Sequence, residues 1–430
     1  MPDAYCLLPD RTCGEKTSMF GIEIERGFTI RMEETMRSVG IICEYNPFHN
    51  GHARQLRLAR EAVGEDCALV CLMSGNYVQR GAPAIFPKLL RAEAALRCGA
   101  DLVLELPLTA ALSSAEGFAA GGVRILSALG CGRLCFGMES EDSNLIMSTA
   151  KANLDPAFDA LLRAELESGC SYPAARQRVL ERLAGADAHV GPPSILQNPN
   201  DILAVEYCKA ILRQNSPMRP LPIRRTGSYH ADALDPEAPS ASALRAVLEG
   251  CPDASAWFAA VPSCLHDLYE SAPIHSWQAG ERAVLAVLRS LPDAAFERLP
   301  FGSEGLWSKF MKNCRRCAST KEIVEATKSK RYTRARIQRM LLCAFLGLRT
   351  EDLASPAPYA RILGFNEVGR TLLRDMKSRF PLVNAGERPA RSAYFELECR
   401  AANLYALFSE AGPRAGGEEE AQRVIRLSNG

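Results

Sequence analysis

Two histidines stand three residues apart in the string "HNGH", at residues 49–52 of this 430-residue chain, which has six histidines. An apolar run at 39–43 precedes the string, and apolar residues recur at helical spacing after it. A helix N-terminus offers unpaired N–H groups and a partial positive charge to an anion. His49 and His52 could both donate hydrogen bonds to one phosphate there, and Gly51 would let a ribose or base approach the backbone. We therefore take both histidines as candidate catalytic residues, although two surface histidines at a helix start would give the same string.

The elements around this string alternate between strands and helices. Short apolar runs typical of buried strands occur at 39–43, 67–73, 101–106, 133–139 and 221–225, with helical patterns between them. This alternation predicts an α/β fold with a parallel sheet and helices on both faces. Ligands bind such sheets outside the carboxyl ends of the strands, which is where "HNGH" falls. The string is neither a Walker loop nor a GxGxxG fingerprint.

The chain is longer than a single core usually grows, so we expect two or more domains. Few strand patterns appear after about residue 240, and helical patterns dominate from there, which predicts a second, mostly α-helical domain at 241–430. The first domain is expected at 37–240. Residues 1–36 lack clear periodicity, and we interpret them as a dispensable extension from an upstream start codon. The alternative is an edge strand formed by "FGIEIERGFTI".

Composition excludes several classes of protein. The apolar fraction of 47% and the charged fraction of 23% are those of an ordinary globular chain. No window approaches the roughly 18 consecutive apolar residues of a membrane span, and no apolar signal core stands at the start, so we predict a cytoplasmic protein without a membrane partner. The sixteen cysteines are scattered like buried small hydrophobic residues. A lone "CRRC" lacks two further ligands, so we predict no metal site.

The net charge is only +1, so a polyanion would have to be held by a local patch. Residues 309–339 supply one, with eleven Lys and Arg residues against two Glu. Such density on a helical domain suits contacts with RNA phosphates, although a solvated helix face gives a similar pattern at lower density. The candidate RNA-binding residues are Lys328, Lys330, Arg331, Arg334, Arg336 and Arg339.

Longer strings make the interpretation more specific. "GIICEYNPFHNGH", "MSGNYVQRGAPAI", "KLLRAEAALRCGADLVLELP", "PNDILAVEY", "IRRTGSYH" and "KRYTRARIQRMLL" occur in this order, and the sequence resembles the tRNA(Met) cytidine acetate ligase family of the HxGH nucleotidyltransferase superfamily. The resemblance implies a Rossmann-like (HUP-type) nucleotidyltransferase domain that binds ATP and acetate at 37–240. It also implies that the mostly α-helical domain at 241–430 binds tRNA.

The activity that the resemblance implies has two steps. ATP and acetate would give acetyl-adenylate and pyrophosphate, with Mg²⁺ accompanying the nucleotide. The acetyl group would then pass to N4 of the wobble cytidine of elongator tRNA(Met), giving N4-acetylcytidine and AMP. No obligate protein partner is evident. Two alternatives share the motif: a small-molecule adenylyltransferase, and a non-catalytic RNA-binding protein that kept the fold.

The resemblance also assigns ATP-binding residues. The nucleotide-binding segment falls on Ile42, Cys43, Glu44, Tyr45, Asn46, Pro47, Phe48, His49, Asn50, Gly51, His52, Ala53, Arg54 and Gln55. Further positions fall on Gly137 in "CFGME", Asn200 in "PNDIL", and Arg225 in "IRRTG" with Arg224 beside it.

Three more residues are candidate phosphate ligands. Ser242 and Arg245 stand in "SASALR", which resembles a second phosphate-binding motif of nucleotidyltransferases but is also an ordinary capped helix. Lys88 follows a loop containing Gly and Pro that could close over a substrate, although an exposed basic residue would look the same.

Overall fold

The computed structural model describes residues 38–186, 195–196, 198–225, 235, 239–250, 255–389 and 392–428. The extension at 1–36, with its alternative edge strand, lies outside these residues. The strands in the described part are β1 (Ser38–Cys43), β2 (Ala68–Ser74), β3 (Tyr77–Val78), β4 (Ala82–Pro83), β5 (Leu102–Leu106), β6 (Arg133–Met138), β7 (Arg219–Arg224), β8 (Ala360–Phe365), β9 (Leu382–Asn384) and β10 (Ile425–Arg426).

Helices connect these strands and fill the space between β7 and β8. In the first half they are α1 (Asn50–Val63), α2 (Lys88–Arg97), α3 (Leu108–Ala111), α4 (Ala115–Ala128), α5 (Ser143–Ala152), α6 (Pro156–Glu167), α7 (Tyr172–Ala186) and α8 (Pro199–Arg213). In the second half they are α9 (Ala241–Gly250), α10 (Ser255–Phe258), α11 (His266–Glu270), α12 (Trp277–Ser290), α13 (Asp293–Glu297), α14 (Leu306–Arg316), α15 (Thr320–Thr327), α16 (Arg334–Leu346), α17 (Thr350–Ala354), α18 (Glu367–Lys377), α19 (Ala393–Tyr405) and α20 (Glu418–Ala421). None of the described helices has the length and apolar character that crossing a membrane would need.

The main sheet has the described strands in the order β10–β8–β5–β2–β1–β6–β7, with β9 also paired to β8. The five strands from β5 to β7 are parallel, as the alternation of strands and helices predicted. Strand β1 lies in the middle, because the chain first moves to β2 and β5 and then returns to place β6 on its other side. The carboxyl ends of β1 and β6 therefore border the crevice where the strand order reverses, and such a crevice is the usual ligand site of an open α/β sheet.

Helices cover both faces of this sheet because alternate strand residues point to opposite faces. Val70 and Leu72 belong to the core that contains α4 and α8, whereas Leu69 and Cys71 belong to the core that contains α1 and α2. All seven residues of β2 are buried, as expected of a central parallel strand. This packing fixes the ends of β1 and β6 relative to α1.

The predicted division at residue 240 is wrong for the C-terminal part of the chain. Residues 255–354 are helical and form a core of their own, but β8 returns to the main sheet and pairs antiparallel with β5. Strand β10 then adds parallel to β8. The segment 241–430 is therefore not an independent helical domain, since its last third completes the sheet.

Lys88 corrects a second prediction. Its side chain is only 3% exposed, and its Nζ lies 2.7 Å from carboxylate oxygens of both Glu105 and Glu419. Arg361 joins the same cluster, 2.8 Å from Glu398 and 2.9 Å from Glu419. Lys88 therefore neutralises buried carboxylates between the sheet and the C-terminal segment, and its ammonium group is not available as the phosphate ligand predicted from the loop before it.

Candidate active site

A cavity of about 820 Å³ opens at the carboxyl ends of β1 and β6. Its size is within the usual range for sites of small molecules and cofactors. The wall is formed by the turn between β1 and α1, the ends of β6 and β7, the starts of α8, α9 and α12, the loop at 78–83 and the first two turns of α16. The cavity thus joins the predicted nucleotide site to the helical part of the chain.

The turn between β1 and α1 is held in place from below by Arg91. This guanidinium is fully buried and donates hydrogen bonds to the carbonyl oxygens of Glu44 at 2.5 Å, Phe86 at 2.9 Å and Ser74 at 3.1 Å, and also to that of Gly75. A buried backbone turn needs such partners because unpaired carbonyl groups are costly away from water. Arg91 is therefore a positioning residue for the turn that carries His49, a role that its local sequence does not reveal.

The two histidines form one hydrogen-bonded unit at the start of α1. His49 is the N-cap, and its Nδ1 accepts from the Gly51 N–H at 3.1 Å. The N–H of His49 in turn donates to Nδ1 of His52 at 3.3 Å, and the two rings stack with centroids 3.8 Å apart. Because each Nδ1 accepts, each neutral ring carries its proton on Nε2. Both imidazoles therefore have an Nε2–H donor for a ligand at this helix end.

Both imidazoles are uncharged at neutral pH. Burial, with the positive charges of Arg225 and Arg245, lowers the pKa of His49 to about 3. Burial, His49 and Arg225 lower the pKa of His52 well below its ordinary value. The histidines thus act as neutral donors, and the positive charge of the site comes from the arginines and the helix end.

This electrostatic assignment predicts a titration result. The imidazole carbon–hydrogen NMR signals of His49 and His52 should keep constant shifts between about pH 8 and pH 5, whereas an ordinary histidine titrates near about 6.5. The His49→Gln and His52→Gln variants would assign the signals. A midpoint near the ordinary value for either ring would contradict the neutral-donor arrangement.

Arg225 enters the cavity from the end of β7. Its Nη1 lies 3.3 Å from Oδ1 of Asn200 at the start of α8, and Asn200 donates to Glu139 at 2.6 Å. A Cβ atom at Gly137 would stand 3.3 Å from Cγ and Cδ of Arg225, so the absence of a side chain there leaves room for this arginine. Arg224, also in the wall, pairs with exposed Glu141 at 2.8 Å.

The start of α9 faces the histidine turn. Ser240 caps this helix by accepting from the Ala243 N–H at 3.0 Å. Ser242 accepts from Arg245 at 3.2 Å, and Arg245 also donates to the Asn46 carbonyl at 2.6 Å. The predicted second phosphate motif and the predicted nucleotide segment therefore meet in one cavity.

The structure brings most of the predicted ATP-binding residues to this wall. The predicted residues that line it are Ile42, Cys43, Glu44, Tyr45, Asn46, His49, Gly51, His52, Arg54, Gln55, Gly137, Asn200, Arg224, Arg225, Ser242 and Arg245. Four residues of the predicted segment, Pro47, Phe48, Asn50 and Ala53, are not part of the wall. Phe48 is fully buried in the core, and Asn50 donates to the Ala259 carbonyl at 2.8 Å, so both support the turn instead.

Comparison with known proteins agrees with this geometry. The family model described as HIGH Nucleotidyl Transferase matches residues 36–420. The tRNA(Met) cytidine acetate ligase of Acetivibrio thermocellus is 34% identical over 91% of this chain and 100% of its own length. That of Clostridium acetobutylicum is 36% identical over 87% of this chain and 96% of its own length.

The chain belongs to the HIGH nucleotidyl transferase family. Solved structures show the same fold: Thermotoga maritima TmcAL in its apo form superimposes with a TM-score of 0.84 at 30% identity, covering 92% of this chain and 100% of that one. The same protein bound with alpha-thio ATP gives a TM-score of 0.81 at 29% identity and the same coverage. The predicted family and the predicted α/β fold are confirmed.

The helical part completes the cavity of this HIGH nucleotidyl transferase. Thr333, Arg334, Ala335, Gln338 and Arg339 line the side formed by α16. Arg334 and Arg339 were predicted as RNA-binding residues, which stays a prediction, and what the sequence did not show is their place in the cavity wall. Local spacing could not reveal it, because the loop at 78–83 that meets α16 is about 260 residues away in the chain.

The other residues of the predicted RNA-binding patch have different environments. Lys328 and Lys330 are exposed between α15 and α16. Arg331 is exposed and pairs with Glu304 at 2.7 Å. Arg336 is partly buried, donates to the Phe301 carbonyl at 2.9 Å and lies over the Tyr332 ring. Only the first three have the exposure that a contact with a large polyanion requires.

Proposed function

We propose that this protein is an ATP-dependent acetate ligase that acetylates elongator tRNA(Met). In the first step an acetate oxygen attacks the α-phosphorus of ATP, the new O–P bond gives acetyl-adenylate, and pyrophosphate leaves. In the second step N4 of the wobble cytidine attacks the acetyl carbonyl, a C–N bond forms, and AMP and a proton leave. The product is N4-acetylcytidine.

The observation that carries this proposal is the neutral His49–His52 pair at a helix N-terminus opposite Arg225 and Arg245. Phosphoryl transfer needs positioning and neutralisation of charge more than covalent participation by the protein. Two Nε2–H donors, the positive end of the α1 dipole and two guanidinium groups supply both. The names of the curated relatives and the ATP analogue bound to the Thermotoga maritima protein support the choice of substrates.

The histidines would contact the α-phosphate, where charge builds up during displacement. Arg225 and Arg245 would take phosphate oxygens with their forked donors. Mg²⁺ would accompany the nucleotide phosphates, as is common for ATP sites. An ATP site formed within 37–240 and completed by Arg245 of α9, and a tRNA-binding surface elsewhere in 241–430, are parts of the same proposal.

The direct test is nucleoside mass analysis of tRNA incubated with ATP and isotope-labelled acetate. We expect labelled N4-acetylcytidine only when the protein, ATP and elongator tRNA(Met) are all present. Pyrophosphate release that depends on acetate should occur without tRNA. A small-molecule adenylyltransferase would instead release pyrophosphate with a phosphopantetheine-type acceptor and leave the tRNA unlabelled.

The exposed cations between α15 and α16 give a separate prediction about tRNA. Replacing Lys328, Lys330 and Arg331 with Gln should weaken tRNA binding, and each lost phosphate contact should lower the slope of log affinity against log salt by about 0.7–0.9. Acetate-dependent pyrophosphate release without tRNA should be unchanged, because none of the three lines the cavity.

A matched control is available on α18. Arg370, Arg374 and Lys377 are exposed, and Arg370 pairs with Glu367 at 2.6 Å much as Arg331 pairs with Glu304. The triple Gln variant on α18 should keep the parent's salt slope. Equal slopes for both triple variants would show that the patch beside α16 does not contact tRNA.

A further inference from the structure

Among the residues that the structure describes, the guanidinium of Arg339 in the cavity wall has no carboxylate partner. Arg339 is 9% exposed, lies in the second turn of α16 and lines the cavity beside the loop at 78–83. The loop at 78–83 packs closely against this turn, since a Cβ atom at Gly81 would stand 2.5 Å from the backbone nitrogen of Arg339. This close approach excludes bulk solvent from the side chain.

The partners of Arg339 are few and uncharged. Its Nη1 donates to the Gln79 carbonyl over 3.4 Å, which is a long hydrogen bond. Its Nε is buried and has no hydrogen-bond partner among the described residues. One face of the guanidinium lies over the Phe301 ring, 4.9 Å from its centroid. Within the described part of the chain, no carboxylate oxygen lies within 4.0 Å of it, whereas buried Arg361 has two such partners below 3 Å.

A buried cation without a counter-ion is unfavourable because desolvation is not offset by attraction. Burial lowers the pKa of Arg339 to about 10, so the group is still charged at neutral pH. A protein tolerates this arrangement where a ligand brings the missing negative charge. The site is therefore built for an anion that reaches it through the cavity.

We propose that Arg339 binds the carboxylate of the acetate substrate. This inference rests on the proposed function and names the residue that selects its second substrate. A small anion fits better than a tRNA phosphate, because Arg339 is almost enclosed whereas the side chain of Arg331 is 41% exposed. Apolar side chains in the same part of the wall, Val78, Pro83 and Ala335, would surround the methyl group.

The same contact can serve both steps of the reaction. One carboxylate oxygen attacks the α-phosphorus while the other stays hydrogen-bonded to Arg339 and becomes the carbonyl oxygen of acetyl-adenylate. When the amine attacks, negative charge develops on that oxygen, and a cationic donor already in place stabilises it. The negative charge then passes to AMP, because the bond between the acetyl carbon and the phosphate oxygen breaks while the new C–N bond remains.

The test separates acetate from the other substrates. In acetate-dependent ATP–pyrophosphate exchange, Arg339→Gln should raise the KM for acetate by about 10- to 100-fold, the loss typical of a hydrogen bond to a charged group. The KM for ATP and the Kd for tRNA should stay within about twofold of the parent. Arg339→Lys keeps a charge but not the forked geometry and should give a smaller rise.

Arg289→Gln is the matched control, since this arginine lies on α12, is exposed, and donates to the Cys317 carbonyl at 3.0 Å. Its KM for acetate should equal the parent's. If Arg339→Gln does not fold, the test uses the KM for acetate of Arg339→Lys. A value equal to the parent's overturns the inference. A rise confined to the KM for ATP, or to the Kd for tRNA, would assign Arg339 to a phosphate instead. Absence of acetate-dependent exchange in the parent protein would overturn the proposed function itself, which is a distinct outcome.

Discussion

Replacing His52 with alanine should lower the rate of acetate-dependent adenylate formation by about 10²- to 10³-fold, the usual effect of removing one donor to developing charge. His52 supplies an Nε2–H donor because its Nδ1 already accepts from the backbone of His49. Its neutral state also means that alanine removes a directed hydrogen bond without removing a charge. The loss should therefore fall mainly on the rate of the chemical step, with a smaller change in the KM for ATP.

Three further variants test whether this effect is specific to His52. His52→Gln places an amide donor near the Nε2 position and should recover part of the lost rate. His266→Ala removes a histidine whose Nε2 bonds the carbonyls of Phe258 and Val261 outside the cavity wall, and it should react at the parent's rate. His49→Ala should lose activity too, but it also removes the N-cap of α1 and so costs about 1 kcal/mol of stability. Adenylate formation by His52→Ala within a few-fold of the parent, in a folded protein, would remove the histidine pair from the mechanism.

The periodicity of apolar residues correctly predicted the order of strands and helices in the parallel part of the sheet. Strands β1, β2, β5, β6 and β7 and the helices between them follow the predicted order, because each short apolar run is followed by a helical repeat. Parallel strands joined by helices must all end at the same edge of the sheet, so the position of "HNGH" after the first strand placed it at the ligand edge. The predicted meeting of His49 and His52 with Arg225 and Arg245 depended on this rule and on the family resemblance.

The errors concern contacts between distant parts of the chain. Strand β8 pairs with β5 across more than 250 residues. The residues of "ARILGF" do not by themselves indicate which edge of the sheet this strand joins. The environments of Lys88 and Arg339 depend on segments 331 and 260 residues away, respectively. A basic residue beside a loop or in a basic run has the same local signature whether it becomes exposed or buried. Only the tertiary packing decides between a solvated cation, a structural ion pair and a ligand.

Replacing Lys88 with methionine should destabilise the protein by about 3–5 kcal/mol, the usual cost of removing one partner of a buried ion pair. Methionine has a similar length, so the lost charge rather than a cavity should account for most of the effect. Burial opposes the charged form of Lys88, yet Glu105 and Glu419 outweigh it and raise the pKa of the ammonium group above its ordinary value. Chemical denaturation of parent and variant would measure the difference, with Arg57→Ala as a control because its pair with Glu61 is exposed and should contribute less than about 1 kcal/mol.

The pH dependence of this loss tests its electrostatic origin. Burial raises the pKa of Glu105 above its ordinary value, and Lys88 opposes that rise. Without Lys88 the pKa of Glu105 should rise further, so the folded variant keeps a proton that the unfolded chain has already released above about pH 4.3. Below about pH 7, the pKa of Glu105 in the parent, both folded proteins hold this proton. The stability of the variant should therefore fall relative to the parent as the pH increases from about 7 to 9, because the folded variant then binds more protons than its unfolded chain while the folded parent does not. Adding Glu105→Gln to Lys88→Met removes the unpaired carboxylate and should recover part of the stability at the higher pH. A loss of stability that is the same at both pH values and is not reduced in the double variant would contradict this electrostatic origin. Lys88 would then stabilise this junction by packing of its methylene groups, and the charges of Glu419 and Arg361 would be balanced without it.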